Sequence, residues 1–120
     1  MVNGAIKYTK DPQINEEILN GRIFNIKLMK CGSLEEGKKM INIARENGLK
    51  IMLGCMVETS VGITNASHLA GEVDFVDLDG NLLIKNDPYS GVFVNDGRLV
   101  LPKDIGSCVT LNLDYSDTLR

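Results

Sequence analysis

The sequence predicts an α/β fold built on a parallel sheet. Segments typical of strands and helices alternate along the first two thirds of its 120 residues. The three strand-like segments begin about 25 residues apart, a spacing that fits β-α-β units. The second of them, residues 50–57, is too apolar to alternate between polar and apolar positions, as is typical of a parallel strand covered on both faces. Strands connected in this way form a sheet with right-handed crossovers.

The first half of the chain is expected to contain a helix, a strand and a second helix. The first helix is predicted at residues 13–20, and the strand at 23–29 runs into a loop at Lys30-Cys31-Gly32. The second helix begins at Ser33, because Ser33-Leu34-Glu35-Glu36 has the form of a capping box. It ends at Asn47-Gly48, which is typical of a left-handed helix end.

The next elements continue the alternation. They are a strand at 50–57, a helix of small residues at 61–70 that Gly71 is expected to end, and a third strand at 73–79. After Gly80 the pattern changes to one typical of antiparallel structure.

A hairpin is predicted near the end of the chain, because residues 89–94 and 98–101 flank the turn sequence Asn95-Asp96-Gly97. The polar segment from Pro102 is expected to be partly mobile. We therefore expect residues 1–82 to form the α/β part, and residues 83–120 to form a hairpin and tail of the same domain.

Composition narrows the classes of function. The formal charge of −3 and the pI near 5.1 argue against a nucleic-acid partner, which requires a basic face. The start of the sequence has no apolar segment of signal-peptide length, and no apolar run is long enough to span a membrane. Three widely separated cysteines fit free thiols in a reducing compartment, so we expect a cytoplasmic protein.

In folds with parallel strands, the chemistry lies at the carboxyl ends of the strands. The positions of interest are therefore residues 27–31, 55–59 and 77–81. Lys27 lies inside an apolar strand. It is either an edge-strand lysine with its head in water, which is the more common case, or a lysine that points into a closed site and exchanges a proton.

Asp77 and Asp79 flank Leu78, so in an extended segment both carboxylates point to the same side. They form either a solvated strand end or a binding site for a cation. Two like charges side by side are costly, and a cation between them would remove that cost. Glu58 is expected to favour the dipole of the following helix, and His68 is expected to be an ordinary packed or surface residue.

Three segments, taken in order and spacing, resemble a known family. They are Asn-Ile-Lys-Leu-Met-Lys-Cys-Gly at 25–32, Met-Leu-Gly-Cys-Met-Val-Glu-Thr-Ser-Val-Gly-Ile-Thr at 52–64 and Val-Asp-Phe-Val-Asp-Leu-Asp-Gly at 73–80. They resemble the sixth, seventh and eighth strands of the muconate-lactonising subgroup of the enolase superfamily, and within it the dipeptide epimerases. The resemblance covers about residues 16–101. It implies the C-terminal part of a (β/α) TIM-type barrel, incomplete in this sequence, followed by the hairpin.

The resemblance also implies a chemistry. Lys27 matches the sixth-strand lysine that adds or removes the substrate α-proton on one face. Asp77 and Asp79 match the pair that holds the α-ammonium group of a dipeptide such as Ala-Glu. Cys55 and Met56 match the pocket wall, and Glu58 is a supporting residue.

The implied reaction is a 1,1-proton transfer between two lysines. In the complete family enzyme, Mg²⁺ stabilises the charge that develops on the substrate. The family carries its second lysine and its metal ligands on strands two to five, and the sequence has no match to either. We therefore expect a fragment, inactive alone, that needs a complementing N-terminal half or association with further copies, since a full barrel requires about 250 residues.

Two alternatives remain open. The chain is either part of an epimerase, or a non-catalytic remnant or assembly module of one. Within the superfamily, it could instead resemble an N-acylamino acid racemase, an o-succinylbenzoate synthase or a muconate cycloisomerase. Asp77 and Asp79 argue against these three, because their substrates carry no ammonium group at that position.

Overall fold

The computed structural model describes residues 23–103 and 106–112, so the helix predicted at 13–20 lies outside the described residues. The described chain contains seven strands, three α-helices and two 3₁₀ helices. The strands are β1 (Ile23–Lys27), β2 (Lys50–Gly54), β3 (Phe75–Asp77), β4 (Tyr89–Ser90), β5 (Phe93–Asn95), β6 (Arg98–Val100) and β7 (Thr110–Leu111). The α-helices are α1 (Leu28–Cys31), α2 (Leu34–Glu46) and α3 (Ser60–Ser67), and the 3₁₀ helices are Ala70–Glu72 and Gly80–Leu83.

The first three strands form the parallel sheet that the sequence predicts. β2 lies in the centre and pairs in parallel with β1 on one side and with β3 on the other. Each crossover passes through a helix, so the predicted α/β class is confirmed. Within the described residues the sheet is open at β1 and β3 and does not close into a barrel.

All three parallel strands end earlier than predicted, and they end together. The last paired residues are Lys27, Gly54 and Asp77, which lie in one row across the sheet. Among the described residues the sheet has no pairing beyond that row. Leu28–Cys31 forms helix α1 there, where the prediction extended the strand to residue 29. Gly32 ends α1 with a φ of 91°, and its amide donates to the Leu28 carbonyl oxygen at 2.8 Å.

The predicted start and end of α2 are confirmed. The Ser33 side chain accepts a hydrogen bond from the Glu36 amide at 3.1 Å, as an N-cap serine does. The Glu36 carboxylate pairs with Lys39 at 2.8 Å. Gly48 has a φ of 68° just after the helix, the left-handed conformation that favours glycine.

Helix α3 is shorter than predicted. It ends at Ser67, and Gly71, which was expected to end it, lies inside the 3₁₀ helix Ala70–Glu72. The Ser67 hydroxyl donates to the Thr64 carbonyl oxygen at 2.6 Å, a local bond that competes with continuation of the helix. His68 is exposed at this end, as expected of a surface histidine.

The two faces of the sheet differ in how much apolar surface they bury. The outer face carries the main core, where the strands pack against α2 and α3; its buried members include Ile26, Ile41, Ile51, Leu53, Ile63 and Leu69. The inner face carries a small cluster of Ile23, Met52 and the half-buried Phe75. The outer core therefore supplies most of the hydrophobic stabilisation of this sheet.

The predicted hairpin forms between β5 and β6. Its turn is the two-residue Asp96-Gly97, with positive φ angles of 47° and 74°, which suits the twist of paired strands. The Val92 amide, just before β5, donates to the buried Thr64 hydroxyl at 2.9 Å and so ties this region to α3. Part of the tail is also paired, since β7 lies antiparallel to β4. No helix in the described residues is long and apolar enough to cross a membrane.

Asp74 connects α2 to the sheet and generates a prediction for acid stability. Its carboxylate accepts hydrogen bonds from the Arg45 guanidinium at 2.6 Å and from the Ile51 amide at 2.8 Å. Burial opposes ionisation of this carboxyl, but the Ile51 amide and Arg45 outweigh it, so the pKa of Asp74 is lowered. A carboxyl whose pKa is lower in the folded state contributes stability above its unfolded pKa, and this contribution is lost as the pH falls through the folded value.

We therefore expect Asp74→Asn to lower the free energy of unfolding by about 1 kcal/mol at pH 7. The difference from the parent should shrink as the pH falls below about 4. Urea unfolding across this pH range measures it, and Asp96→Asn, in the exposed hairpin turn, is the matched control. A difference that is constant with pH would show that the Asp74 charge is not involved.

Candidate active site at the carboxyl ends of the parallel strands

Two of the predicted site residues lie in the row of paired residues that ends the parallel sheet. Lys27 and Asp77 flank Gly54 in parallel register. Paired residues in a parallel sheet direct their side chains to the same face, here the inner face that carries Met52 and Phe75. Neighbouring strands lie about 4.8 Å apart, so the backbones at Lys27 and Asp77 are roughly 10 Å apart. Gly54 lies between them without a side chain, and the Asn25 carboxamide occupies the space above it, since a Cβ on Gly54 would lie 2.8 Å from Asn25 Oδ1.

Lys27 directs its ammonium group across the end of β2. Its Nζ donates to the Cys55 carbonyl oxygen at 2.9 Å and lies 4.0 Å from the Met56 sulfur. The residue is half-buried. β1 is an edge of the described sheet, yet the Lys27 head contacts the predicted pocket wall, and in this respect it differs from a lysine that only extends into water.

The two aspartates reach the site by different routes. Asp77 is the last residue of β3, while Asp79 precedes the 3₁₀ helix Gly80–Leu83 with φ −95° and ψ 0°. The premise that the segment is extended through Asp79 is therefore wrong. The chain bends after Leu78, beyond the last pair of β2 and β3, Gly54 and Asp77, and Leu78 itself packs in the outer core. Asp79 still faces the site, since its Oδ1 lies 3.9 Å from the Cys55 sulfur.

Cys55 is enclosed by this arrangement. Burial raises the pKa of its thiol, and the negative charges of Asp79, Asp77 and Glu58 raise it further. A hydrogen bond with the Gly80 backbone acts in the opposite direction but does not outweigh them. The Cys55 side chain is therefore a neutral thiol at physiological pH.

Gly80 holds the loops after β2 and β3 in close contact. It is buried, and a Cβ at this position would overlap the Met56 carbonyl oxygen and lie 3.1 Å from the Cys55 sulfur. The loop that carries Asp79 can therefore pack directly on the loop that carries Cys55 and Met56.

Glu58 and an unpredicted residue, Asp87, lie at the start of α3. The Glu58 carboxylate accepts from the Met56 amide at 3.1 Å and packs against Gly62. The N-cap of α3 is Thr59 and no acidic residue lies in its first turn, so Glu58 is not the N-cap acid that the sequence suggested. Asp87 accepts from both the amide and the hydroxyl of Ser60, each at 2.7 Å. Sequence reasoning missed Asp87, because it is 27 residues away from Ser60 along the chain and its only local signal is the turn sequence Asp87-Pro88.

The described residues do not offer a metal centre. Within residues 23–103 and 106–112 there is no group of three or more His, Cys, Asp or Glu side chains that could hold a metal ion. Asp77, Asp79 and Glu58 therefore provide negative charge at the site without forming a ligand set.

Comparisons with known proteins agree with the fold class and with the family resemblance of the sequence. No family model matches the chain. An L-Ala-D/L-Glu epimerase from Bacteroides thetaiotaomicron is 52% identical over 77 residues, which are 64% of this chain and 20% of that enzyme. An L-Ala-D/L-amino acid epimerase from Flavobacterium johnsoniae is 46% identical over 87 residues, 72% of this chain and 26% of that enzyme.

Solved structures give the same result. The L-Ala-D/L-Glu epimerase from Bacillus subtilis, in a substrate-liganded complex, matches with a TM-score of 0.69 and 30% identity over 81% of this chain and 29% of that one. A dipeptide epimerase from Methylococcus capsulatus, complexed with Mg ion, matches with a TM-score of 0.70 and 36% identity over 76% of this chain and 28% of that one.

The fold is thus that of the C-terminal domain of the enolase-superfamily barrels. Over the matched span, the chain is a homologue of the dipeptide epimerases in the mandelate racemase/muconate lactonizing group of that superfamily. The chain spans about a fifth to a quarter of the length of these curated relatives.

The contact at Gly80 generates a prediction for the site. Gly80→Ala should displace the loops after β2 and β3 and lower the free energy of unfolding by about 1–3 kcal/mol, because the new methyl group meets backbone. Gly71→Ala is the matched control, since a Cβ there meets nothing within 4 Å. Urea unfolding compares the two variants, and equal stabilities would contradict the close packing described here.

Proposed function

We propose that β1, β2 and β3 are the sixth, seventh and eighth strands of a dipeptide epimerase barrel. In this proposal the chain contributes one of the two proton-transfer groups and the ammonium site of the enzyme. The observation that carries the proposal is the strand-end row, in which Lys27 and Asp77 face the same side across Gly54. Similarity to dipeptide epimerases over 64% and 72% of the chain supports it.

Lys27 is proposed to exchange the α-proton on one face of the substrate. A lysine can do this only if it is held close to the reacting carbon and partly shielded from water. The hydrogen bond from Nζ to the Cys55 carbonyl oxygen leaves further positions on this nitrogen, and it directs the group toward the inner face. Met56, 4.0 Å from Nζ, shields one side of it.

Asp77 and Asp79 are proposed to bind the α-ammonium group of the dipeptide. Both carboxylates lie near the neutral Cys55 thiol, and their negative charge contributes to its raised pKa. A substrate ammonium would be attracted to both carboxylates, because opposite charges attract strongly where water is partly excluded. This preference for a cation favours dipeptides over substrates that lack an ammonium group.

The residues described here do not fit the Mg²⁺ of the related structures, since they form no metal-binding group. The functions that we assign to this chain are therefore proton transfer at Lys27 and substrate binding at Asp77 and Asp79. The three free cysteines fit a reducing compartment, so we infer a cytoplasmic enzyme.

The sheet is proposed to be completed by further strands, on the same polypeptide or on another. Both β1 and β3 present unpaired parallel edges within the described residues, and such edges pair readily with additional strands. The inner cluster of Ile23, Met52 and Phe75 would become the floor of the completed barrel. Association with further copies of the chain is the alternative, and the mass of the native assembly distinguishes the two.

The role of Lys27 can be tested in a completed barrel. The full chain is co-expressed with the part of the Bacteroides thetaiotaomicron enzyme outside the matched stretch, and α-proton exchange of L-Ala-L-Glu with D₂O is followed by NMR in the presence of Mg²⁺. We expect exchange with the parent and a loss of at least about 100-fold with Lys27→Met, since general acid–base groups contribute that much. Lys30→Met, on the exposed side of α1, is the matched control.

A second protein allows the same test without requiring two polypeptides to assemble. In it, the matched residues of this chain replace those of the Bacteroides thetaiotaomicron enzyme within one polypeptide. If this folded chimera exchanges no proton, the proposed function is wrong and the chain is better described as a non-catalytic relative. If it exchanges and Lys27→Met is equally active, the role assigned to Lys27 is wrong.

The ammonium site makes a separate prediction. Replacing Asp77 and Asp79 together by asparagine should raise the KM for L-Ala-L-Glu by about tenfold to 100-fold, because hydrogen bonds to a charged group are lost. The same change should have little effect on an N-acylamino acid, which has no ammonium group. Steady-state kinetics with both substrates measures this, and an equal change for both would contradict ammonium binding.

A further inference from the structure

The peptide group between Cys55 and Met56 is hydrogen-bonded to a charged side chain on each side. Its carbonyl oxygen accepts from Lys27 Nζ at 2.9 Å, and its N–H donates to the Glu58 carboxylate at 3.1 Å. The peptide is trans, so its N–H and C=O point in opposite directions. Glu58 and Lys27 therefore bind one rigid unit from opposite sides, directly after the last residue of β2.

Gly62 leaves room for the half-buried Glu58 carboxylate. A Cβ at this position would overlap Glu58 Oε2, and the atoms nearest to it would all belong to Glu58. Gly62 lies in the first turn of α3 and has no positive φ that would require glycine. Glycine is a poor helix former compared with alanine, and here its missing side chain lets the carboxylate lie between the Met56 amide and the helix.

Hydrogen bonds that share a peptide group strengthen one another. A carboxylate bound to the N–H polarises the peptide and increases the partial negative charge on its carbonyl oxygen. The Cys55 carbonyl oxygen is therefore a better acceptor for the Lys27 ammonium group than an isolated carbonyl oxygen would be, and hydrogen bonds from an ionised donor are already among the stronger ones. The same carboxylate holds the backbone of Met56, whose sulfur lies 4.0 Å from Lys27 Nζ.

The geometry points to Glu58 as a positioning residue for Lys27, which acts through the Cys55–Met56 peptide and holds the ammonium group at the strand-end row. This inference rests on the proposed function. It goes beyond the general supporting role predicted for Glu58, because it names the group on which the carboxylate acts and the peptide that connects them. Glu58 acts on this one proton-transfer group only, since the other one works on the opposite face of the substrate.

The test measures proton exchange on the two faces of the substrate separately. The single-chain chimera described above is incubated in D₂O and Mg²⁺ with L-Ala-L-Glu or with L-Ala-D-Glu, and NMR gives the initial rate at which each epimer loses its α-proton. Lys27→Met identifies the epimer that Lys27 deprotonates. Glu58→Ala should lower the rate for this epimer, relative to the rate for the other, by about threefold to tenfold, because one hydrogen bond that places Lys27 is weakened.

Three further variants separate positioning from general stability. Glu58→Gln keeps an acceptor oxygen for the Met56 amide and should lower the ratio of the two rates less than Glu58→Ala does. Gly62→Ala should lower the ratio because the new methyl group displaces the carboxylate, and it should have no further effect in the Glu58→Ala background. Asp74→Asn weakens contacts at the opposite ends of the strands and should leave the ratio unchanged.

The outcomes separate this inference from the proposal beneath it. A folded parent chimera that does not exchange both epimers overturns the proposed function, and the inference falls with it. If the parent exchanges both and Glu58→Ala leaves the ratio of the two rates unchanged, the inference alone is overturned. A second loss from Gly62→Ala in the Glu58→Ala background also overturns it, because the carboxylate would then not be the cause. Glu58→Gln and Gly62→Ala provide the same comparison if Glu58→Ala does not fold.

Discussion

The shared end of three parallel strands is the constraint on which this structure depends. Lys27, Gly54 and Asp77 are the last paired residues of their strands and lie in one row. Because parallel register fixes which side chains share a face, the row determines that Lys27 and Asp77 lie on the inner face with Gly54 between them. The segments after the strands begin at this row. Helix α1 begins directly after Lys27, and Gly80 lets the loop after β3 pack on the loop after β2.

The features that the sequence predicts correctly are those with a local cause. Ser33 caps α2 through an amide three residues away, and Gly48 ends it through its own backbone conformation. The Asp96-Gly97 turn is equally local. The order of the parallel strands was also predictable, because apolar segments of this length and spacing have few other arrangements. The family resemblance of the strand-end segments agrees with the homologues found.

The features that were missed depend on contacts between distant parts of the chain. Asp87 binds the start of α3 from 27 residues away, and Asn25 fills the space over Gly54 from the neighbouring strand. The bend at Asp79 follows the end of the pairing between β2 and β3 at Asp77, which no local pattern reveals. Strand β3, which the composition predicts to extend through Asp79, therefore ends where its pairing with β2 ends. Asp79 consequently lies in the loop after the strand.

The unequal cores of the two sheet faces have a consequence for the order of folding. Every pairing in the parallel sheet joins strands that are adjacent along the chain, and the apolar residues that seal the outer face come from the helices between them. Contacts of such short sequence separation form rapidly, since little chain entropy is lost in closing the loops. The outer half of this structure can therefore nucleate by itself, whereas the inner face, with its small cluster around Met52, acquires its full packing only at a later stage of assembly.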